Sequence, residues 1–354
     1  MAIRMKDIAA ELGLSVVTIS KVLRDHPDIS NETRERVLKR VKELNYSPNA
    51  TARSLVTGRS YLVGLVVPDL LHPFFAEIAV AISKTIRKSG YSLIIASCEE
   101  DAALEEQEIE QMVARRLDGL IIAACAASVA PLERLDEQNE PFVLIDRQIV
   151  GSGANFVGMD DRAAGRLATG HLLEMGCRRI AHIRGRENST GEDRMWGYAE
   201  ALEAAGLPVL DSYVIMRDKV DIDSRQQGAE AARRLLELHP RPDGIFCYND
   251  PMALGAMQTI LEAGLRIPED IAVVGCGNLH YDDFFKVPLS SIDQQSNVVG
   301  ERAGSLILSL IEAKDSRPRA RTIVLEPRLI VRASSARRAA RPASDLEPVL
   351  PGSR

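Results

Sequence analysis

Asp7-Ile8-Ala9-Ala10-Glu11-Leu12-Gly13-Leu14-Ser15-Val16-Val17-Thr18-Ile19-Ser20-Lys21-Val22-Leu23 decides how the first part of this 354-residue chain folds. Ile8, Ala9 and Leu12 form a helical apolar stripe over 5–12, and Gly13 ends it with a residue tolerant of positive φ. Ser15 offers a capping oxygen for a second helix, expected over 16–24. Ala9 is small where the two helices must cross, while Ile19 and Val22 fall on the face that packs back. A third helix follows Ser30, with Val37, Leu38, Val41 and Leu44 as its expected core stripe. The pattern is a small helix-turn-helix.

The second helix leaves Val16, Val17, Ser20 and Lys21 on its outer side. Exposed β-branched residues are costly in water but suit thymine methyl groups in a major groove. Lys21 can donate to a guanine edge or a phosphate. Ser15, Thr18 and Ser20, with the free N–H groups of the helix start, suit phosphate oxygens. Charge supports this reading over a merely solvated surface. Residues 1–60 carry 11 Lys and Arg against 7 Asp and Glu, a balance of +4, whereas the whole chain is −6, leaving −10 for the rest. A basic head on an acidic body suits a nucleic-acid partner.

Downstream, Ser47-Pro48-Asn49-Ala50-Thr51-Ala52-Arg53-Ser54-Leu55 can form a turn or two of helix, with a cap at Ser47 and Pro48 at the first helical position. Its large apolar residues, Leu55 and Val56, are too few to hold that helix alone. Such a segment suits folding on a partner.

These motifs resemble the lactose-repressor (LacI/GalR) family. The resemblance rests on Asp7-Ile8-Ala9, Gly13-Leu14-Ser15, Thr18 to Leu23, Leu44 to Asn49 and Ala52-Arg53-Ser54-Leu55, and it continues almost to the end of the chain. It implies that Val16, Val17 and Lys21 match base-reading positions. It likewise implies that the hinge helix folds in the minor groove of double-stranded operator DNA, with Leu55 matching a leucine wedged between base pairs. Ala52 matches a small residue on the groove floor, and Asn49 and Arg53 match polar contacts there.

From Tyr61 onward the pattern changes to short apolar runs alternating with amphipathic segments. Runs at 62–68, 92–96, 119–123, 142–145, 180–183, 244–248 and 271–275 read as buried parallel strands. Segments 76–89, 104–116, 163–175, 228–238 and 252–263 read as helices. The expected fold is thus a small all-α helix-turn-helix head plus an α/β core of two doubly wound lobes. The resemblance adds that the core is like periplasmic sugar-binding proteins, with a small-molecule effector between the lobes. The expected domains are 1–46 (head), 47–60 (hinge helix and linker) and 61–332 (core). The resemblance implies that the chain recrosses between the lobes near Gln294 and again near Arg321, so the lobes are expected at about 61–160 with 293–320 and 161–292 with 321–332. The tail, 333–354, rich in Arg, Ala, Pro and Ser without an apolar period, is expected to be disordered. It holds no leucine heptad such as forms the tetramer tail of some members of the resembled family, and a homodimer is expected because two heads must meet two half-sites and pair their hinges.

Ligands gather at the carboxyl ends of strands in open α/β lobes. The residues there are Asp69 with Phe74 and Phe75, Asp146-Arg147, Asp160-Asp161 and Asn249-Asp250. Carried over singly from the resemblance, Phe75 matches a stacking position and Asp146 and Arg147 a strand-end pair. Arg194, in Arg194-Met195-Trp196-Gly197-Tyr198, matches a ligand-clamping arginine, and Asn249 a hydroxyl-binding amide. Gln294, in the crossover, is also expected to reach the cleft. One departure stands out: Cys276-Gly277-Asn278 lacks the carboxylate usual after this strand, and Asn278 is expected to substitute with an amide. A sugar leads as effector class; a nucleobase, sugar acid or phosphorylated metabolite is the alternative.

Other function classes find little support. There is no GxSxG, P-loop or HExxH, and Gly151-Ser152-Gly153 reads as a turn. No cofactor and no metal is expected: the six histidines are dispersed, His72 alone near the cleft, and the five scattered cysteines form no CxxC. No apolar run reaches membrane-spanning length, and no signal-peptide core precedes the head, so a cytoplasmic location away from any membrane is expected rather than that of an extracytoplasmic solute-binding protein.

Overall fold

The computed structural model describes residues 3–23, 26–46, 54, 57–125, 128–149, 151–313, 316 and 318–337. Arg24, the hinge residues Asn49, Ala52, Arg53 and Leu55, and residues 338–354 lie outside the described residues. The chain divides into two compact units, Met1–Ser60 and Tyr61–Arg354.

In the first unit, α1 (Met5–Leu12), α2 (Val16–Leu23) and α3 (Asn31–Glu43) enclose a core of Ile8, Ala9, Ile19, Val22 and Val37. Gly13 takes φ 66° at the end of α1. Ser15 Oγ accepts the Thr18 N–H at 3.0 Å, and Ser30 Oγ caps α3 by accepting the Thr33 N–H at 3.3 Å. Each such cap contributes about 1 kcal/mol. Leu38 corrects the expected core stripe: it is 46 % exposed. Val37, Val41 and Leu44 share the buried face at helical spacing, and Leu38 is turned roughly 100° away from Val37.

The second unit holds two six-stranded sheets, each flanked by helices. The first sheet has the order β11-β5-β4-β3-β1-β2. Its members are β1 (Leu62–Val67), β2 (Ser92–Ser97), β3 (Gly119–Ile122), β4 (Phe142–Ile145), β5 (Phe156–Met159) and β11 (Thr322–Leu325). All its pairings are parallel. Helices α4 (Pro73–Arg87), α5 (Ala102–Ala114), α6 (Ala130–Glu137) and α11 (Ser296–Glu312) complete this lobe. The second sheet runs β12-β10-β9-β8-β6-β7, from β6 (Ile180–Arg184), β7 (Val214–Met216), β8 (Gly244–Cys247), β9 (Ala272–Gly277), β10 (Ser290–Asp293) and β12 (Arg328–Ile330). Only β12 is antiparallel to its neighbour. Helices α7 (Asp161–Glu174), α8 (Ser189–Ala204), α9 (Ser224–Leu236) and α10 (Asp250–Glu262) flank this sheet.

Three sequence expectations change here. Residues 322–325 belong to the first lobe, where Thr322 to Leu325 pair with Phe156 to Met159. The chain therefore returns to the second lobe at Glu326-Pro327, because proline cannot extend the ladder, and not near Arg321. The strand at 92–97 is half exposed, since it is the sheet edge. Residues 333–337 are ordered by polar bonds that need no apolar period. Ser334 and Ser335 are fully buried. Ser334 Oγ donates to Val273 O at 2.7 Å and accepts the Ser290 N–H at 2.8 Å.

Candidate functional site: an arginine–carboxylate cleft and an exposed recognition helix

The cleft is assembled from strand ends of both lobes. Asp69, His72 and Phe75 follow β1, Glu100 follows β2, Ala124 and Cys125 follow β3, and Asp146 and Arg147 follow β4. From the other lobe come Asp161 at the start of α7, Arg194 on α8, Asp221 beyond β7, Tyr248 and Asn249 after β8, and Gln294 after β10. Helices α7 and α8 cross closely enough to join Arg194 to Asp161. A Cβ at Gly165 would stand 2.3 Å from Arg194 O, and one at Gly197 2.0 Å from Arg162 O. Only glycine permits that approach.

Arg194 is 2 % exposed and every nitrogen of its guanidinium is engaged. Nε donates to Asp161 Oδ1 at 2.7 Å, Nη1 to Tyr248 O at 2.6 Å and Nη2 to Gln294 Oε1 at 3.1 Å. Its Cζ lies 4.6 Å from the Tyr248 ring centroid, a cation–π contact. Arg147, equally buried, donates to Asp221 across the cleft and to Ala124 O at 3.3 Å. Its Nε stands 3.5 Å from Asp146 Oδ2. Burial works against both charges, yet Cys276 and Asp161 around Arg194, and Asp221 around Arg147, outweigh it and hold both pKa values above the ordinary one. Burial pushes the Asp161 carboxyl up to about 7 against the pull of Arg194, and it raises Asp146 as well.

The lobes meet through further bonds. Glu100 accepts the N–H groups of Val220, Asp221 and Ile222 at 3.1, 3.3 and 3.4 Å. Arg186 Nη2 donates to Cys125 O at 2.7 Å, and the Gln148 N–H to Ser189 Oγ at 2.9 Å. Asn249 Oδ1 caps α10 by accepting the Met252 N–H at 2.9 Å, while its Nδ2 donates to Val220 O at 2.7 Å. That amide nitrogen is 3.3 Å from His72 Nε2. Among the described residues His72 Nδ1 has no hydrogen-bond partner, and burial lowers its pKa so that the ring is neutral.

Arg147, Asp146, Arg194, Asn249 and Gln294 are therefore brought together. Asp69 sits in the turn before His72, where its Oδ1 accepts the Leu71 N–H at 2.9 Å. Phe75 is buried against His72 and Phe74, with centroids 5.5 and 5.2 Å away. Asn278 is the exception. Its Oδ1 accepts from Arg332 Nη2 at 2.8 Å and its N–H donates to Ser291 Oγ at 2.9 Å. It does not join Arg194 and Asn249. The reason lies at Gly277, whose φ is 149°; a Cβ there would meet Asp250 Oδ2 at 2.6 Å. Asp250 is fully buried and accepts from Ser291 Oγ at 2.6 Å and the Leu279 N–H at 3.2 Å. It fills the space beside the missing carboxylate instead of capping α10. Sequence reasoning named Asp161 only as a strand-end residue with no role, and left out Glu100 and Asp221. Asp161 stands at a strand end and was legible; Asp221 lies in a polar stretch with no motif.

In the head, Val16 and Val17 are 45 % and 63 % exposed while Ile19 and Val22 face inward. Thr18, Ser20 and Lys21 are half-buried beside them. The Ser15 hydroxyl is also 2.8 Å from Thr18 Oγ1. Lys21 Nζ lies 3.3 Å from Asp28, an exposed pair worth little and easily exchanged for phosphate.

A helix-turn-helix with an apolar outer face, carried on a two-lobed binding core, defines a ligand-gated regulator of transcription. Residues 4–49 match the model of bacterial regulatory proteins of the lacI family, and residues 60–330 match that of periplasmic binding proteins and the sugar-binding domain of the LacI family. The chain belongs to the LacI family and is a ligand-responsive, DNA-binding transcriptional repressor. It is 34 % identical over 311 residues to the ribose operon repressor of Halalkalibacterium halodurans, covering 88 % of this chain and 91 % of that one. It is 33 % identical over 335 residues to the transcriptional repressor PurR of Haemophilus influenzae, covering 93 % and 98 %. Among solved structures, the regulator CelR in complex with cellobiose superposes with TM-score 0.70 at 30 % identity, over 94 % of this chain and 99 % of that one. The Lac repressor dimer bound to operator shares the fold, with TM-score 0.82 at 24 % identity over 95 % and 99 %.

Proposed function

We propose that the effector is a neutral, hydroxyl-rich molecule of the sugar class, held between the lobes by Asp146, Arg147, Arg194, Asn249, Gln294 and Asp221, with Asp69, His72 and Phe75 beside them. One observation carries this reading: both cleft arginines already face carboxylates, Arg147 toward Asp221 and Arg194 toward Asp161. A sugar acid or phosphorylated metabolite would have to displace one of these, stranding a buried charge at a cost of several kcal/mol. A hydroxyl both donates and accepts, so a polyol can exchange bonds without changing the charge balance. The ribose and cellobiose in the names of two relatives agree with this class.

On the DNA side, Ser15, Val16, Val17, Thr18, Ser20 and Lys21 read and grip the major groove of double-stranded operator DNA. The hinge residues Asn49, Ala52, Arg53 and Leu55 enter the minor groove at the centre of a pseudo-palindrome. The repressor acts in the cytoplasm as a homodimer. Edge strand β2 and α4 supply a surface for it, where Val80 and Ile95 are 52 % and 40 % exposed around a cavity of about 340 Å³. Rearrangement of the lobes on effector binding changes the separation of two marginal hinge helices, so a small geometric bias shifts the DNA-competent population.

A thermal-shift panel tests the effector class. At one hundred times its dissociation constant a ligand adds about 2.7 kcal/mol, a rise of several degrees. Pentoses, hexoses or disaccharides are expected to raise the midpoint. A shift confined to nucleobases, sugar acids or phosphorylated sugars overturns the neutral-polyol reading.

A further inference from the structure

Cys98 and Cys125 occupy the cleft-facing end of the first lobe, one after β2 and one after β3. Strand β1 lies between those two strands, so within the sheet their backbones are about two strand spacings, ~9–10 Å, apart. Both segments then turn inward over the end of β1. The Cys98 N–H donates to Val67 O at 2.9 Å and the Ala123 N–H to Val66 O at 2.9 Å. The two sulfurs meet there, 2.7 Å apart, with Cys98 Sγ also 3.3 Å from Val67 O. Both thiols are free and buried. No other cysteine sulfurs touch among the described residues, and Cys177, Cys247 and Cys276 each stand alone.

We propose that Cys98 and Cys125 form a reversible redox pair, joined by a disulfide when the protein meets a peroxide. The thiolate of one attacks a peroxide oxygen, breaking the O–O bond and releasing one water, and becomes a sulfenic acid. The second thiol then attacks that sulfur, forming S–S and expelling a second water. Two thiols lose two protons and two electrons, and one hydrogen peroxide becomes two waters. In a reducing compartment the pair rests as a dithiol, and such bonds in cytosolic proteins are transient and sensory.

The position gives the bond leverage. Cys125 O accepts from Arg186, Ala124 O from Arg147, and Glu100, two residues past Cys98, accepts three N–H groups of the other lobe. Glu105 on α5 fastens the Cys125 N–H from behind. A bond between Cys98 and Cys125 braces every one of these rim segments. Cys98 and Cys125 are buried in the core of the first lobe with Val66, Ile109 and Ile122, and the hydrogen bond to Cys98, with burial, pushes the Cys125 thiol up. Oxidation therefore proceeds when local opening of these strand ends lets peroxide reach the sulfurs.

The test counts alkylated thiols on the full chain. Reduced protein, alkylated after denaturation, is expected to carry five alkyl groups, and peroxide-treated protein three, with a 98–125 cross-linked peptide that dithiothreitol releases. The same treatment is expected to raise the unfolding midpoint by several degrees, reversibly. Cys125→Ser is expected to keep all four of its remaining thiols after peroxide, whereas Cys247→Ser still loses two. If either variant fails to fold, peptide mapping of the unaltered chain decides alone. The proposal is overturned if all five thiols persist, if a different pair links, or if the pair goes to sulfinic acid without a cross-link. Blocking of two thiols by Zn2+ alone, with no peroxide-dependent link, would overturn it in favour of a metal site built on Cys98, Cys125 and Glu105.

Discussion

Two groups of buried carboxylates, both drawing on the second lobe, are held in opposite ways. At the cleft, Asp221 and Asp161 each face an arginine. Behind β9, Asp250 and Asp282 face each other. Asp282 is fully buried, and burial together with Asp250 pushes its carboxyl up to about 9. The first set is stabilised by opposite charge, the second by a shared proton. The difference teaches which site can change partners. A guanidinium beside its carboxylate offers a donor and an acceptor together to a ligand hydroxyl, whereas Asp250 and Asp282 are taken up with each other, Ser291 and the Leu279 N–H, with Arg332 near both. The cleft set is suited to binding, and the set behind β9 to fixing the strand end.

Removing the cation is the harshest way to break this contrast. Arg194→Met leaves Asp161, Gln294 Oε1 and Tyr248 O without their donor and is expected to cost about 3–5 kcal/mol. Denaturant unfolding reads that loss. With its cation gone, Asp161 is expected to be neutral at pH 7. A loss below about 1 kcal/mol would mean that the cleft carboxylates do not depend on their arginines.

The second set answers to pH. The folded pKa of Asp282 lies above its unfolded value of about 3.9, so the folded state holds an extra proton between about pH 4 and 9. Stability contributed by that proton is complete below the unfolded pKa and declines as pH rises toward 9. Asp282→Asn supplies a permanent donor to Asp250. It is expected to gain on the order of 1–2 kcal/mol at pH 8 and to flatten the slope of stability between pH 5 and 8. An unchanged slope would remove the shared proton from the account.

The same contrast explains what could be read from the sequence. The head was legible because its signals are local: a glycine, a serine cap and three apolar stripes. Among the described residues of its core stripes Leu38 departed, one position out of phase with Val37. The lobes were legible as alternating runs, but the return at Glu326-Pro327 was not, because Thr322 to Leu325 suits either sheet. Arg194 and Asn249 stand in recognisable stretches. Asp221 does not, since its role comes from Arg147, which is 74 residues distant in the chain.

Asn278 marks where a plausible local reading fails for a non-local reason. An amide one position after a missing carboxylate looks like a replacement for it. Yet Gly277 at φ 149° carries the chain past Asp250, and Asn278 turns to Arg332. That places it with the set behind β9, on the far side of the comparison from Arg194. Asn278→Ala is accordingly expected to cost only about 1 kcal/mol, one half-buried hydrogen bond to a charged donor, and to leave the thermal shift by the effector unchanged. A loss of tenfold or more in effector affinity, with stability intact, would return Asn278 to the cleft and erase the line between the two sets. An unchanged affinity would leave Asp250 and its neighbours as the strand-end support for a ligand site built without them.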